Sequence, residues 1–338
     1  MSRGLNVVVT GGSGLIGGVL VRRLRRRGHR VDNFDRYRGP LVTCLRRRWF
    51  ALGRGSRLAT AGLRMNALSA SLESSLAARG VLRPSGDDIG APGEVLERRF
   101  RGCDAVIHLA ALPHPGIAGF TDDDYRRINY DHAINVFDAA RAAGVSRFVY
   151  ASSIAVYGFS LGIGRGTRIE RFPISEDNYR PDRPGDNTLY GILKTRVEDY
   201  LDAACRAGGG IRCVSMRLGG PGFRVGYPGY LGVSTSVENL VEGFDAVLRW
   251  EQAPGFVAFN LVDAVRDPGN TVDPRLFIAI RWGDIPNAMG PRDMAFDTSR
   301  LRRLTGWRPI DDGHYLDPRF IGETPAGFTI TSAVGADG

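Results

Sequence analysis

Short apolar runs alternate along this chain with stretches whose apolar residues recur at helical spacing. Leu5 to Val9 is such a run, and it leads into Gly11-Gly12. From Leu15 to Arg27, Ile16, Val19, Leu20 and Leu24 share one helical face, arginines crowd the later turns, and Gly28 marks the end. Val31 to Phe34 predicts a second strand. After a less periodic stretch, Val81 to Arg83 predicts a further strand, Gly93 to Phe100 a short helix and Ala105 to Leu109 a buried strand. Asp122 to Ala143 predicts one long amphipathic helix, followed by a strand over Arg147 to Ser152, a helix over Asn187 to Ala207 and a strand over Ile211 to Arg217. Beyond Gly219 the pattern loosens to a helix at Val237 to Trp250, a strand at Val257 to Leu261 and a helix at Thr298 to Thr305. Strands alternating with helices imply right-handed crossovers and an α/β fold with a doubly wound, mostly parallel sheet.

Residues 37–80 interrupt that rhythm. Gly, Arg, Ser and Ala are frequent there, only Leu63 to Leu76 reads as helical, and the stretch is long for a strand–helix–strand connection. It is expected to be a basic insertion of about residues 40–80. The 338 residues, 43% of them hydrophobic, suffice for a large core and a second, smaller subdomain.

Composition excludes several function classes. No apolar run reaches the roughly 20 residues of a membrane span, and the apolar stretch after Arg3 passes directly into a glycine turn rather than a signal-peptide pattern. A cytoplasmic protein with no membrane partner is expected. Cys44, Cys103, Cys205 and Cys213 lack metal-ligand spacing, so free thiols and no metal are expected. The net charge of +9 is uneven: residues 1–100 hold 19 Arg against 7 acids, or +12, leaving 26 basic against 29 acidic residues, or −3, elsewhere. No nucleic-acid motif accompanies the basic half. A solvated arginine face and attraction for a dinucleotide's phosphates explain it, and no nucleic-acid partner is expected. Lys194 is the one lysine among 45 basic residues. A lysine kept in so arginine-biased a chain suggests a role for a compact ammonium with a tunable pKa.

Two motifs carry chemistry. Thr10-Gly11-Gly12-Ser13-Gly14-Leu15-Ile16-Gly17 follows the first strand and opens the first helix. Its glycines permit the tight turn and close approach of backbone to a pyrophosphate, and the helix N-terminus offers free N–H groups. Asp35, 18 residues past Gly17, stands where a carboxylate accepts from the adenosine ribose. The expected cofactor is therefore NAD, with NADP disfavoured because a carboxylate repels its 2′-phosphate, although Arg36 and Arg38 lie close by. In the second motif, Tyr190 and Lys194 are four residues apart and point to one helical face. A phenol is a poor acid–base at neutral pH until a neighbouring ammonium stabilises the phenolate. Ser153, just past a strand, would give its hydroxyl to a substrate oxygen.

Together these residues resemble the extended short-chain dehydrogenases/reductases, the NAD-dependent epimerase/dehydratase group, over about residues 5–310. Further carriers are Asp88-Ile89, His108 to Ala111, Asn129, Ser152 to Gly158 and Phe296 to Ser299 leading to Gly306-Trp307. The resemblance implies a Rossmann domain over 1–218, a small C-terminal substrate-binding subdomain over 219–322 and a tail over 323–338. It implies that Gly11, Ser13, Gly14, Leu15, Ile16, Gly17, Asp35, Arg36, Asp88, Ile89, Leu109, Ala110, Ala111, Asn129 and Pro221 line the cofactor with Tyr190 and Lys194. The catalytic set is Ser153, Tyr190 and Lys194, and the likeness implies a homodimer.

Departures narrow the chemistry. Family dehydratases carry an Asp-Glu pair just past the catalytic hydroxyl, where this chain has Ile154 and Ala155, which transfer no protons. Only about 16 residues separate Gly220 from Val237, a short stretch from which to build a nucleotide pocket. In that shortness the chain resembles uronate dehydrogenases. His114, Ser152 and Arg224 are the candidate substrate contacts. The implied activity is hydride transfer between NAD and a secondary alcohol or ketone of a sugar, sugar acid or polyol. A nicotinamide-dependent sugar or nucleotide-sugar epimerase is the alternative, and a non-catalytic dinucleotide sensor a weaker one.

Overall fold

The computed structural model describes residues 4–38, 42, 72–73, 75–113, 119–160, 163–164, 169–178, 187–208, 210–221, 234–235, 237–251, 253–263, 275, 278–279, 285–290 and 293–309. Most of the expected insertion, the expected tail, His114 and Arg224 lie outside them.

Six parallel strands form the main sheet: β1 (Asn6–Thr10), β2 (Arg30–Phe34), β3 (Ala105–His108), β4 (Arg147–Ser153), β7 (Arg212–Leu218) and β10 (Gly255–Leu261). Their order across the sheet is β2-β1-β3-β4-β7-β10. Short pairs lie apart from it: β5 (Phe159–Ser160) with β6 (Ile163–Gly164), and β8 (Gly220–Pro221) with β9 (Ser234–Thr235). The sequence-predicted strand at Val81 to Arg83 does not form. Only an isolated bridge joins Tyr37 to Pro84, whose missing N–H cannot extend a ladder, and Val81 is left exposed.

The strands are buried on both faces, and their period of two sorts the side chains. Val7, Val9, Ala105, Ile107, Val149, Val214 and Met216 face one layer. That layer contains α1 (Gly17–Arg26), α6 (Val237–Arg249) and α7 (Ser299–Thr305). Val8, Val106, Phe148 and Cys213 face the other, formed by α2 (Gly93–Phe100), α4 (His132–Ala142) and α5 (Leu189–Arg206). Each fully buried aliphatic or aromatic side chain contributes roughly 1.5–3 kcal/mol. A third cluster joins Ile154 and Tyr157 to Ile174, Met294 and Phe296 beyond the sheet's C-terminal edge.

The long helix expected over Asp122 to Ala143 has three parts. Thr121 caps α3 (Asp122–Arg126) in a capping box with Asp124, a π-helical turn follows over Arg127–Asp131, and α4 completes it. The wider turn holds the buried Asn129 amide against the backbone of Leu112, which donates to its Oδ1 at 2.8 Å and accepts from its Nδ2 at 3.0 Å.

Candidate active site

Parallel strands present all their C-terminal ends on one edge, and the candidate residues gather there. Thr10 pairs with Phe34 and His108, and Ser153 with Leu218, so the segments after β1, β2, β3, β4 and β7 emerge side by side. Ser153 is the last residue of β4 rather than the first beyond it.

The glycine turn fits a phosphate-bearing ligand by what it excludes. Gly11 has a φ of +69°, and a Cβ there would lie 2.8 Å from the Ala110 amide nitrogen. At Gly17 it would meet the Gly11 carbonyl at 2.2 Å, and at Gly12 the Asn33 amide at 2.3 Å. At Gly11 and Gly17 backbone therefore approaches backbone with no room for a side chain, while at Gly12 the neighbour is the Asn33 side-chain oxygen. The residue preceding α1, Ile16, supplies no side-chain cap, and the first turn carries no acid. Leu15 and Ile16 pack against the core layer on that side.

Asp35 follows β2 and is 7% exposed. Its Oδ2 accepts from the Ser13 amide at 3.0 Å and its Oδ1 from the Tyr37 amide at 3.3 Å. The carboxylate thus ties the glycine turn to the segment after β2. Arg36, expected at the cofactor, pairs with Asp88 at 2.8 Å, and Arg38 pairs with Asp87. The Gly90 amide and Arg36 hold the Asp88 carboxyl below its ordinary range despite partial burial. Ile89 and Ala91 carbonyls accept from Asn135 at 3.2 and 2.9 Å, fixing this loop beside α4. Leu109, Ala110 and Ala111 continue from β3 and are half-buried, while Pro221 lies in β8.

Thr188 caps α5 by accepting from the Gly191 amide, which starts the helix so that Tyr190 and Lys194 both face the sheet. Tyr190 is buried among Leu112, Tyr125, Ala155 and Leu193. Burial pushes its hydroxyl up to about 12, opposed by a hydrogen bond from Ser153. The Ser153 hydroxyl also accepts from the Ala155 amide at 3.1 Å. Lys194 is 3% exposed, and its Nζ donates to the Ala151 carbonyl at 2.6 Å. That nitrogen lies 4.5 Å from the Tyr150 ring centroid and 5.7 Å from the Tyr190 one. Burial lowers its pKa to about 7, with Glu198 acting to raise it. The sequence reading expects a Tyr190 pKa lowered by Lys194. Here burial dominates, and the ammonium is drawn to the Ala151 carbonyl.

Ser153, Tyr190 and Lys194 are thus brought together, and the glycine turn, Asp35 and Ala110 share their edge. Ser152 is not with them. It points to the opposite face of β4 from Ala151 and donates from its buried hydroxyl to Glu198 at 2.6 Å. Sequence reasoning also missed Glu198 and Arg217, a fully buried ion pair at 2.7 Å. Their signal is positional: Glu198 continues the stripe of Tyr190 and Lys194 one turn on, and Ser215 and Arg217 alternate on the β7 face that it covers.

The NAD dependent epimerase/dehydratase family model matches residues 7–60 and 88–221. L-arabinose 1-dehydrogenase (NAD(P)(+)) of Haloferax volcanii is 33% identical over 131 residues, 37% of this chain and 48% of that protein. UDP-glucose 4-epimerase 3 of Oryza sativa subsp. japonica is 26% identical over 220 residues, 64% of this chain and 49% of that protein. These matches span about half the length of the curated relatives. A crystal structure of UDP-glucose 4-epimerase from Bifidobacterium longum, in complex with NAD+ and UDP, shares the fold. Its TM-score is 0.59 at 19% identity, over 93% of this chain and 97% of that one.

Proposed function

This chain belongs to the NAD dependent epimerase/dehydratase family, and we propose that it is an NAD-dependent oxidoreductase acting on a secondary alcohol or ketone of a sugar, sugar acid or polyol. The observation that carries this reading is the meeting of Ser153, Tyr190 and Lys194 on the strand edge that bears the glycine turn. NAD, when bound, supplies the acceptor for the substrate's hydride. Gly11, Gly14 and Gly17 admit its pyrophosphate to the backbone, and Asp35 accepts from its ribose. Asp88 and Ile89 flank the adenine, and Ala110, Ala111, Asn129 and Pro221 border the path to the nicotinamide. Arg36 and Arg38 already face carboxylates, which leaves Asp35 to repel a 2′-phosphate and favours NAD over NADP.

The Ser153 hydroxyl orients the substrate oxygen. Tyr190 Oη takes the alcohol proton during oxidation and returns it during reduction. The buried Lys194 ammonium favours the phenolate once it turns toward the tyrosine. Ile154 and Ala155 leave no acid to expel water, so the chemistry stops at oxidation or reduction. Among the described residues no helix is long and apolar enough to cross a membrane. The reading includes a cytoplasmic homodimer.

A second reading, an epimerase that oxidises and re-reduces one carbon, is favoured by the longer match to the rice epimerase. It uses the same residues. The test is incubation with NAD and a panel of free aldoses, uronic acids and polyols, beside UDP-sugars. NADH formation with a free sugar is expected. Interconversion of UDP-sugars without NADH release would overturn the first reading in favour of the second, and equal turnover with NADP would overturn the cofactor assignment.

A further inference from the structure

On the face of the sheet beneath α5, the alternation that places Phe148 and Cys213 in the core changes character toward the C-terminal edge. The same face continues with Tyr150 and Ser152 on β4 and with Ser215 and Arg217 on β7, and Ser152 and Arg217 are register neighbours. Glu198 descends onto them from α5. Its Oε1 accepts from Ser152 Oγ at 2.6 Å and Ser215 Oγ at 2.8 Å, and its Oε2 from Arg217 Nη2 at 2.7 Å. Arg217 is fully engaged as well, donating to the Tyr157 hydroxyl at 2.6 Å and the Glu176 carbonyl at 3.1 Å. Tyr157 in turn donates to Asn260 at 2.9 Å. Glu198 is 0% exposed, so this is an ionic network sealed from water. Buried pairs of this kind seldom add net stability over apolar packing, which turns attention to what they position.

What lies one helical turn away is Lys194. Consecutive β4 residues bind consecutive turns of α5: the Ala151 carbonyl accepts from Lys194, and the Ser152 hydroxyl donates to Glu198. Ser153 is the next residue of that strand, and Tyr190 the preceding turn of that helix. We infer that Glu198 is a positioning residue for the catalytic pair: through Ser152 it sets the spacing of α5 against β4, and through its charge it keeps the buried Lys194 ammonium protonated.

The surroundings of Lys194 leave this task to Glu198. On its own helix, Tyr190 is the other titratable neighbour, and burial keeps it a neutral phenol. From β4 comes Tyr150, fully buried and pushed well above the ordinary phenol range. From β3 comes His108, whose ring burial holds near a pKa of about 3, with Lys194 itself disfavouring its charge. From β7 comes Arg217, behind the carboxylate. Glu198, one helical turn on, is therefore the anion whose charge favours the ammonium among the described residues, and it counters the burial that lowers the lysine to about 7. Ser152 fits here as part of the staple rather than as a substrate contact.

The inference rests on the proposed catalytic reading, but its test does not need turnover. Lys194 is the chain's one lysine, so protein labelled with 15Nζ-lysine gives a single ammonium signal to titrate. Glu198→Gln is expected to move its midpoint down by about one pH unit or more, the scale of a close charge in a buried site, and Glu198→Asp to stay near wild type. An unmoved midpoint in Glu198→Gln overturns the inference whatever the enzyme's substrate proves to be. If that variant fails to fold because Arg217 is left unpaired, Arg217→Gln and Glu198→Gln/Arg217→Gln differ by the Glu198 charge alone: the midpoint is expected to be lower in the double variant, and equal midpoints overturn the inference. Once a substrate is in hand, the alkaline limb of kcat follows the midpoint. Ser152→Ala, which spares the charge, lowers kcat without moving that limb, and wild-type kcat in Ser152→Ala overturns the staple.

Discussion

Where β1 turns into α1, the candidate site is made of backbone. Glycines stand at positions that no Cβ could occupy, and a single carboxylate, Asp35, ties the turn to β2. Where α5 crosses β4 and β7, the site is made of side chains: a lysine, a glutamate, an arginine and two tyrosines, all buried. On the proposed function, the first region recognises a ligand by shape and amide direction, and the second performs proton chemistry that depends on which buried group holds charge. Errors in the first should therefore abolish binding, whereas errors in the second should spare binding and alter rate or pH dependence.

The largest expected effect breaks the backbone side of this contrast. Gly17→Ala puts a Cβ 2.2 Å from the Gly11 carbonyl, which cannot yield as a flexible side chain would. Overpacking typically costs about 1–3 kcal/mol, and a clash with backbone stands at the upper end of that range. NAD affinity measured by calorimetry should fall by more than about a hundredfold. Affinity within a few-fold of wild type would show that the turn does not approach the pyrophosphate.

A slightly smaller effect probes the side-chain half. Lys194→Arg keeps the charge but replaces a compact ammonium, seated between the Ala151 carbonyl and the Tyr150 ring, by a planar fork that demands more partners. Turnover should drop by about a hundredfold, the low end of acid–base assistance, with NAD affinity largely retained. Near-normal turnover would make the lone lysine a chance survivor of the chain's arginine bias.

The smallest effect is thermodynamic. The folded-state midpoint of Lys194, about 7, lies below its ordinary 10.5. Between those values the unfolded chain binds more protons than the folded one, so this group makes stability rise with pH. Below about pH 7 both states are protonated and the burial cost is borne in full. Compared with Lys194→Met, the wild-type protein should gain roughly 1 kcal/mol between pH 7 and 8 in urea unfolding. Parallel stability profiles would place the lysine in contact with water.

The same contrast explains what could be read from the sequence. The glycine turn and the Tyr190/Lys194 pair are local: each is a fixed spacing on one element, and helix or turn geometry converts it into a shared face. The six main strands were legible because apolar runs buried on both faces are unlike anything around them. The network under α5 was not legible, since Ser152 and Arg217 lie 46 and 19 residues from Glu198. A charged residue read alone is also assigned to solvent. The bond from Ser152 to Glu198 is hidden for that reason, being invisible without the strand register. Val81 to Arg83 misled because β-branched and apolar residues suggest a strand, while Pro84 denies it a ladder. The π-helical turn at Asn129 has no periodic signature, because five widened residues leave the surrounding helical pattern almost unchanged.

The central claim is that Tyr190 is the proton-transferring group of an NAD-dependent oxidation or reduction. Tyr190→Phe deletes one oxygen from a packed ring, so NAD titration of this variant should match wild type. Its NADH production across the sugar and polyol panel should disappear at substrate levels where the wild-type protein turns over. Substantial NADH formation by Tyr190→Phe, with NAD affinity unchanged, would contradict the claim.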